Sequence, residues 1–534
     1  MWDMDTAPRG RHLLSAPPVP GMFPVSTLLR AGTEGIMSSR GRYPLAVAVA
    51  LLGLGPNVVL STAFLPLEPA MGAALGTTKD GLALALGLGS AAYAVGAVLC
   101  VQLALRIVQR RIFLTAQPVF VLASCLAAVA PNVLLFTIGH VLQGLAAGAM
   151  LITSLPPLVT RFGAGKVALS AAIVNVGIFG ASTLGPIVGG LVASGDGWRW
   201  MLAAAAALGT VGWYVALAGY EAWAPGDPER PVDAPALVLV VVGTVGTFLA
   251  ASLVGGRPIA DWQVWAPFAV GIVAIVALLV VESRTRDALI PVGALSTQLP
   301  VTGILVAMVG GAIVVTVTEL LQTRLGEIGG RSPTAVAAVF WPMPVGAALG
   351  SLAFWGLFRT RWVPVLVDVG LAALAVGSGL LLLGSRDAVV LPATLLLGLG
   401  AAATVSPGLF LTGLGIPSNS LARAFGLVQL LRSVATYAVA PVVVGLALRS
   451  SSPASGLRAG LVAMMVVAIA GLVAAVVVPA VSGARLRAPD LETWLDGDKG
   501  LPSPATATHL RPGVEDEDAA PLLPHATPRR HRSG

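Results

Sequence analysis

The stretch GIFGASTLGPIVGGLVASGDGWRW, from Gly177 to Trp200, decides how this chain folds. Gly185 and Gly189 lie four residues apart on one helical face, and this spacing lets the backbone of another helix approach closely. Pro186 lies between them and removes a backbone hydrogen bond, which bends a helix. Most of the stretch is apolar, as a membrane span requires. It therefore predicts a bent, closely packed transmembrane helix.

The whole chain has the composition of a membrane protein. Of its 534 residues, 56% are hydrophobic and only 11% are charged, and the mean hydropathy is +0.87. Soluble globular chains carry roughly 25% charged residues. About fourteen apolar runs are long enough to cross a bilayer, which takes about 20 residues. The predicted fold class is therefore an all-α integral membrane protein.

Polar breaks divide the predicted spans into six, two and six. The longest breaks are residues 220–234 and 282–299. The predicted organisation is a disordered cytoplasmic tail (1–42), a six-helix half (43–219), a linker with an inserted helix pair (220–299), a second six-helix half (300–482) and a second disordered cytoplasmic tail (483–534). Related six-helix halves are an architecture of secondary transporters. Met37 opens a short basic lead into the first span, so the true start is left open between Met1 and Met37.

The positive charges favour a membrane topology rather than a nucleic-acid partner. The net charge is +7, but arginines flank the membrane part. Arg30, Arg40 and Arg42 precede the first span, and Arg485 and Arg487 follow the last. Because basic residues concentrate on the cytoplasmic side of membrane proteins, both termini are predicted to be cytoplasmic in a multi-pass protein of the cell membrane.

The sequence offers no chemistry for catalysis. It contains no phosphate-binding G-x-x-x-x-G-K-[ST] loop, which argues against ATP-driven pumping by this chain, and no His/Cys/Asp/Glu cluster with metal-ligand spacing. Cys100 and Cys125 both fall in apolar runs, so a structural disulfide is not expected. The prediction is a protein that is not an enzyme and has no cofactor or metal.

Further motifs accompany the opening stretch. They are VLQGLAAGAM (Val141–Met150), VESRTRDALIPVGAL (Val281–Leu295) and LLRSVATYAVA (Leu430–Ala440), which contains Arg432. With the glycine–proline motif of Gly185, Pro186, Gly189 and Gly190, they resemble the major facilitator superfamily, in its branch of fourteen-span drug:proton antiporters. The resemblance implies the major facilitator fold and efflux of small hydrophobic compounds. It also implies that the glycine–proline motif acts in gating.

The loop after the second span departs from the family pattern. The segment VQLALRIVQRR (Val101–Arg111) keeps three arginines, Arg106, Arg110 and Arg111, which the resemblance marks as gating residues. Leu105 stands where the family usually has an aspartate. The usual salt bridge of this loop is therefore not expected.

Two further departures lie in the predicted centre of the bundle. Asn57 replaces the aspartate of the family's first-helix motif, and His140 replaces the arginine of its fourth-helix motif. His140 lies 8 residues from Asn132, about 12 Å deep, and Asn57 lies 9 residues from Pro66, about 13.5 Å deep, at about 1.5 Å per residue. The two residues are therefore predicted to meet as a neutral pair whose side chains satisfy each other. His140 could be a purely structural hydrogen-bonding residue, but ionisable groups in membranes are more often functional.

Other polar residues extend this predicted cavity. Gln143 and Ser154 share a helix face with His140, and Ser61 shares one with Asn57. Glu319 lies near the outer end of the ninth span.

Three further charged residues have alternative interpretations. Arg432 could orient an anionic group or pair with a carbonyl, and both interpretations stay open. Glu68 follows the first span and could simply be solvated, but it is also a candidate for proton coupling, together with His140 and Glu319. Asp368 lies close in sequence to Arg359 and Arg361 and is predicted to form a local ion pair.

The predicted function is secondary active transport by alternating access, in which a small hydrophobic substrate is exported across the lipid bilayer. Proton coupling is left open because Asn57 cannot titrate. The alternative is a non-transporting membrane protein that keeps the fold as a sensor, scaffold or partner-binding module. The missing acidic latch favours this alternative, and the intact glycine–proline motif disfavours it.

Overall fold

The computed structural model describes residues 25–222, 227–258, 260–285, 292–481, 488–497 and 500–501. The chain divides into two units, Met1–Arg42 and Tyr43–Gly534. The predicted disordered tail 1–42 falls partly on residues 1–24, which lie outside the described residues. Residues 25–42 are helical instead, and they include Leu, Ala, Met and Arg, which favour helix. Everything below concerns the second unit.

Fourteen helices of the described residues are long and apolar enough to cross a membrane, which confirms the predicted all-helical fold. They are numbered here as spans 1 to 14: Tyr43–Ala63, Lys79–Arg106, Gln109–Ala128, Val133–Thr160, Ala164–Leu191, Gly197–Gly219, Ala234–Leu253, Trp262–Arg284, Gln298–Ile328, Pro333–Leu357, Val363–Leu380, Asp387–Leu414, Ser418–Leu448 and Pro453–Ala480. Helices suit a bilayer because each one satisfies its own backbone polar groups. The protein is thus a multi-pass membrane protein.

Successive spans run in opposite directions, so the bundle has two distinct ends. We call the end where span 1 finishes, at Ala63, the mouth end; span 2 begins there at Lys79. The opposite end, where span 1 begins and span 14 finishes, is called the termini end. Short helices lie outside the spans at Glu68–Leu75, Val292–Leu295 and Leu491–Leu495.

Span 5 is irregular just before Pro186. A π-helical turn at Asn175–Phe179 and a 3₁₀ turn at Gly180–Leu184 precede the proline. Because Pro186 has no N–H, the carbonyl of Ser182 four residues earlier loses its usual helical donor. The Thr62 hydroxyl of span 1 donates to that carbonyl over 2.7 Å. A neighbouring helix therefore satisfies the group that the proline frees.

Glycines bring span 5 into direct backbone contact with both halves. A Cβ placed on Gly189 would lie 2.1 Å from the Ala63 carbonyl oxygen of span 1. A Cβ on Gly190 would lie 2.6 Å from the Pro333 carbonyl oxygen of span 10, in the second half. No side chain fits at either position, so the two glycines set how closely span 5 can pack.

Spans 2 and 4 form a second glycine-lined contact. A Cβ on Gly144 would lie 2.2 Å from the Gly89 carbonyl oxygen, and one on Gly148 would lie 2.2 Å from the Tyr93 carbonyl oxygen. The two helices therefore touch backbone to backbone near mid-membrane, next to His140.

The inserted pair, spans 7 and 8, is not simply appended to the bundle. Span 7 packs against span 2 and span 13, whereas span 8 packs mainly on span 7. The Gln102 side chain ties the start of span 7 to span 2, because it donates to the Asp233 carbonyl at 3.0 Å and accepts from the Asp233 amide at 3.2 Å. Span 7 thus lies between the two halves.

Part of the predicted carboxyl-terminal tail (483–534) is ordered, contrary to the prediction. Trp494, only 2% exposed, donates from its indole to the Ile416 carbonyl at 2.9 Å. Leu491 is buried beside it, and the short helix also contacts the start of span 5. The segment is ordered because it buries two large apolar side chains against the termini end of both halves. Residues 482–487, 498–499 and 502–534 of this region lie outside the described residues.

Gly148→Val should prevent stable folding, because its side chain would overlap the backbone of span 2. We expect little monodisperse protein by size-exclusion chromatography in detergent, and a lower melting temperature for any that is recovered. Gly165→Val is the matched control, since nothing lies within 4 Å of a Cβ at that glycine. Equal yield and melting temperature for the two variants would contradict the close contact.

Candidate functional site

A cavity of about 330 Å³ lies between the two halves and reaches the mouth end. Spans of both halves line it, and span 7 adds a third side. Its deepest residues include Leu151 and Val405, each nine residues from the termini end of its span, which is about 13.5 Å at about 1.5 Å per residue. The cavity therefore runs from mid-membrane to the mouth end and is covered by packed helices at the termini end.

His140 lies on the cavity wall, but its partner is not the predicted one. Its Nδ1 lies 3.0 Å from Gln143 Oε1, and Gln143 Nε2 donates to the Ser124 hydroxyl at 2.7 Å. Because the Gln143 amide oxygen faces the ring, Nδ1 is the protonated nitrogen and Nε2 is left as an acceptor. The predicted Asn57–His140 pair is not formed, and the imidazole bonds through Nδ1 to a residue one turn away on its own helix instead.

Aromatic rings and a glycine hold the imidazole in place. The ring of Phe136 stacks on it at 5.6 Å between centroids, and Phe64 meets it edge-on at 5.4 Å. A Cβ on Gly89 would lie 2.4 Å from His140 Nε2. The absence of a side chain at Gly89 is therefore what makes room for the ring.

The other predicted cavity residues divide into two groups. Asn57 and Ser61 line the cavity, and the Tyr437 hydroxyl of span 13 lies 3.5 Å from Ser61 Oγ. Gln143 is fully buried behind His140 and does not line the cavity. Ser154 donates to the Met150 carbonyl of its own helix at 2.6 Å and also lies away from the lining. The prediction from shared helix faces therefore holds for Ser61 and does not hold for Gln143 and Ser154.

The mouth end of the cavity is acidic. Glu319 lines it as predicted and lies within electrostatic reach of Glu68, which sits just beyond span 1. Burial raises the pKa of Glu68 from its ordinary 4.5 to about 7; Lys79 opposes this rise in pKa and Glu327 adds to it. Lys79 Nζ lies 3.4 Å from Glu327 Oε1 and links the two halves, but this exposed pair contributes little stability.

Arg432 lines the cavity at mid-membrane and does not pair with a carbonyl. Its Nη2 donates to Gln429 Oε1 at 2.9 Å, and its guanidinium lies 5.7 Å from the centroid of the Phe179 ring. Gln429 Nε2 in turn donates to the Ser433 hydroxyl at 2.8 Å. None of the four ion pairs among the described residues includes Arg432.

The predicted gating arginines contact backbone at the termini end. Arg106 Nε donates to the Arg230 carbonyl at 2.6 Å, and Arg110 Nη2 donates to the Leu217 carbonyl at 3.0 Å. Arg111 is exposed. Arg110 therefore ties the start of span 3 to span 6, and Arg106 ties the end of span 2 to the linker after span 6.

The predicted ion pair of Asp368 is not formed. Arg359 donates instead to the Ala164 carbonyl at 3.1 Å, across the two halves, and Arg361 lies over the Trp362 ring. Asp368 takes part in no salt bridge of the described residues, and it lies outside the cavity lining. The helix between Val363 and Asp368 carries the carboxylate away from both arginines.

Several lining residues carried no signal in the sequence. Three charged residues of the lining, Lys79, Asp80 and Glu327, were not singled out from the sequence. Phe248, which belongs to the inserted pair, was not singled out either. Tyr437 is five residues beyond Arg432 on the same span, about 140° around the helix at about 3.6 residues per turn, so this spacing gave no signal that both line the cavity.

The family model of the major facilitator superfamily matches residues 50–441. The chain belongs to the major facilitator superfamily. Members of this family are transporters and not enzymes, so the cavity belongs to a transport protein that binds small molecules within a membrane.

Curated relatives share this family at low identity. The chain is 24% identical over 405 residues to the MFS-type transporter YubD of Bacillus subtilis, a match that covers 74% of this chain and 78% of that protein. It is 27% identical over 313 residues to the multidrug resistance protein B homolog of Mycobacterium tuberculosis, covering 56% of each. It is 29% identical over 264 residues to the fatty acid resistance protein FarB of Neisseria gonorrhoeae, covering 47% of this chain and 50% of that protein. The chain thus spans only about half of the latter two.

Solved structures share the fold. The human organic anion transporter MFSD10 superimposes with a TM-score of 0.58 at 15% identity, covering 81% of this chain and 99% of that one. A POT family transporter in complex with a thioalcohol-conjugated peptide gives a TM-score of 0.61 at 13% identity, covering 82% and 96%. At such low sequence identities, these matches show only that the fold is shared.

The lining can be tested by cysteine labelling. In a Cys100→Ala/Cys125→Ala background, Ser61→Cys should react with a membrane-impermeant methanethiosulfonate reagent, because Ser61 lines a cavity that reaches the mouth end. Ser154→Cys is the matched control and should stay unlabelled, since the structure places it away from the lining. A denatured sample confirms that each cysteine can react with the reagent. Labelling of both cysteines in the folded protein, or of neither, would contradict the cavity.

Proposed function

We propose that the protein is a secondary active efflux transporter of the cell membrane that exports small hydrophobic compounds by alternating access. The observation that carries the proposal is the cavity between the two halves, which reaches one end of the bundle and is covered at the other. Alternating access needs such a site between two halves that rock about it.

The contacts of the cavity wall support the rocking step. Span 5 meets both halves through Gly189 and Gly190 with no side chains between, so the helices are in close contact there. Near mid-membrane, Asn175 Nδ2 donates to the Ala402 carbonyl at 2.8 Å, and at the termini end Arg359 donates to the Ala164 carbonyl. Opening the termini end would break these single hydrogen bonds, each of which contributes about 1 kcal/mol.

The direction of transport and the substrate class rest on other support. Relatives are named for multidrug resistance and fatty acid resistance, and both kinds of compound are largely apolar. Apolar side chains such as Phe64, Val315 and Phe248 form much of the cavity wall. With both termini in the cytoplasm, as the arginines outside the spans predict, the mouth end faces outward and release occurs there.

Glu68 and Glu319 are the best candidates for proton coupling. Asn57 cannot titrate, so the family's usual acidic residue in span 1 is missing. Glu68 belongs to the first half and Glu319 to the second, and they interact across the cavity. A carboxyl whose pKa is near 7 exchanges protons at physiological pH, as coupling requires.

A second candidate function is a non-transporting membrane protein that binds a partner. Leu105 in place of the aspartate favours it, because Arg106 and Arg110 bond to backbone and no salt bridge closes that loop. The polar lining at mid-membrane disfavours it, since a protein without a ligand has no need of Arg432, His140 and Asn57 around one cavity. Absence of substrate-dependent flux for any compound would favour this candidate.

His140→Ala should lower transport several-fold more than Asp368→Asn does, because His140 lines the cavity and Asp368 does not. The measurement is accumulation of a fluorescent hydrophobic dye in cells with and without the protein, at matched expression. Wild-type transport by the His140→Ala variant would refute a role of the imidazole in transport.

Glu68→Gln should abolish the pH dependence of transport. Below its pKa of about 7 the Glu68 carboxyl is protonated, and above this pKa it is charged. The transport rate of the wild type should therefore change within about one pH unit on either side of neutral pH. The glutamine cannot titrate and should give a flat profile in that range. Proteoliposomes with imposed pH gradients provide the measurement, with Asp368→Asn as control; a wild-type profile in Glu68→Gln would refute the coupling role.

A further inference from the structure

The middle of the cavity carries a positive charge with no opposite charge beside it. Besides His140, the basic residues among the described residues that line the cavity are Arg432 and Lys79, and Lys79 pairs with Glu327 at the mouth end. Arg432 lies 14 residues from Ser418 and 16 from Leu448, which is about the middle of a membrane at about 1.5 Å per residue. An unpaired charge at that depth is costly unless water or a ligand compensates it.

The guanidinium of Arg432 is held in place but largely unused. Gln429 accepts one of its N–H groups, and Ser433 fixes Gln429 from behind. A guanidinium has five N–H donors in a planar fork that matches a carboxylate. Most of these donors therefore remain for a molecule in the cavity.

A second donor lies next to the guanidinium. Thr436 lines the cavity and is only 1% exposed, and its hydroxyl has no hydrogen-bond partner among the described residues. A Cβ on Gly311 would lie 2.6 Å from Thr436 Oγ1 and 3.5 Å from Arg432 Cγ, so both residues surround the same small space. A buried hydroxyl without a partner is unfavourable, and an accepting ligand would satisfy it.

The acidic residues of the cavity lie elsewhere. Glu319 lies nine residues before the mouth end of span 9, so it is roughly 10 Å closer to the mouth end than Arg432 is, at about 1.5 Å per residue. Asn57, which lies at about the same depth as Glu319, carries no charge. The cavity thus has a basic centre and an acidic mouth, with apolar walls such as Val314 and Phe248 between them.

We propose that Arg432 and Thr436 form an anion-binding subsite, and that the compounds bound there carry a single carboxylate or similar anionic group on an apolar body. This proposal rests on the proposed function of the cavity as a substrate site. The volume of about 330 Å³ suits a small ligand of this kind.

Three matched compounds test the charge preference: phenylbutyrate, phenylbutyramide and phenylbutylammonium share one apolar body and differ in charge. Binding to the full-length protein in nanodiscs of uncharged phosphatidylcholine is measured by isothermal titration calorimetry, with empty nanodiscs subtracted. We expect the wild type to bind the carboxylate at least about tenfold more tightly than either of the other two. Equal affinities, or a preference for the ammonium compound, would overturn the proposal.

Two variants assign the preference to residues. Arg432→Gln should lose at least about tenfold in affinity for phenylbutyrate and keep its affinity for phenylbutyramide, which also reports that the cavity is intact. Thr436→Val should lose affinity for phenylbutyrate by a smaller factor. Arg423→Gln is the matched control, because Arg423 lies on the same span, bonds to Ser420 and does not line the cavity. Wild-type affinity for phenylbutyrate in both Arg432→Gln and Thr436→Val would refute the subsite.

Flux measurements separate this proposal from the transport function. Export of phenylbutylammonium without export or binding of phenylbutyrate would leave efflux standing and refute the anion subsite. Tight binding of phenylbutyrate without export of any of the three compounds would support the subsite and count against efflux.

Discussion

The hydrogen bond from the Thr62 hydroxyl to the Ser182 carbonyl is the interaction on which the rest of the cavity depends. Pro186 takes away the usual helical donor of that carbonyl, which keeps the Gly185 amide as a donor and gains the Thr62 hydroxyl. The bond holds span 1 close to span 5, and Gly185 and Gly189 provide the space. Thr62 belongs to the same span as Asn57 and Ser61, so the bond also fixes where these two cavity residues lie.

The same span ties the halves to each other. Beyond Pro186, Gly190 meets the backbone of span 10, and before it Asn175 bonds to Ala402 of span 12. Span 5 is thus packed against its own half by a bent, glycine-lined face and against spans 10 and 12 of the other half. A helix built in this way can keep its contacts within one half while those with the other half change. The short helix at Leu491–Leu495 adds a further contact between the halves at the termini end.

The polar groups of the cavity are arranged by supporting residues rather than by one another. Ser124 and Gln143 orient His140, while Ser433 and Gln429 orient Arg432. In each case a buried amide holds the functional side chain from behind and leaves its other polar atoms facing the cavity. This arrangement lets the protein keep an imidazole and a guanidinium at mid-membrane without a carboxylate beside either one. Glu68 and Glu319 lie between Arg432 and the mouth end, away from the guanidinium.

The sequence by itself determined the class of fold, the fourteen spans and the close packing around Pro186, because length, hydropathy and the Gly–Pro spacing are properties of a single helix. It also indicated that Asn57 and His140 lie at similar depth, because depth follows from the rise per residue, and that Ser61 shares a helix face with Asn57. Only the tertiary structure decided which polar groups meet. His140 bonds to Gln143 rather than Asn57, Asp368 has no arginine partner, and Trp494 orders part of the tail, because rotation of each helix and the reach of each side chain depend on neighbours distant in sequence.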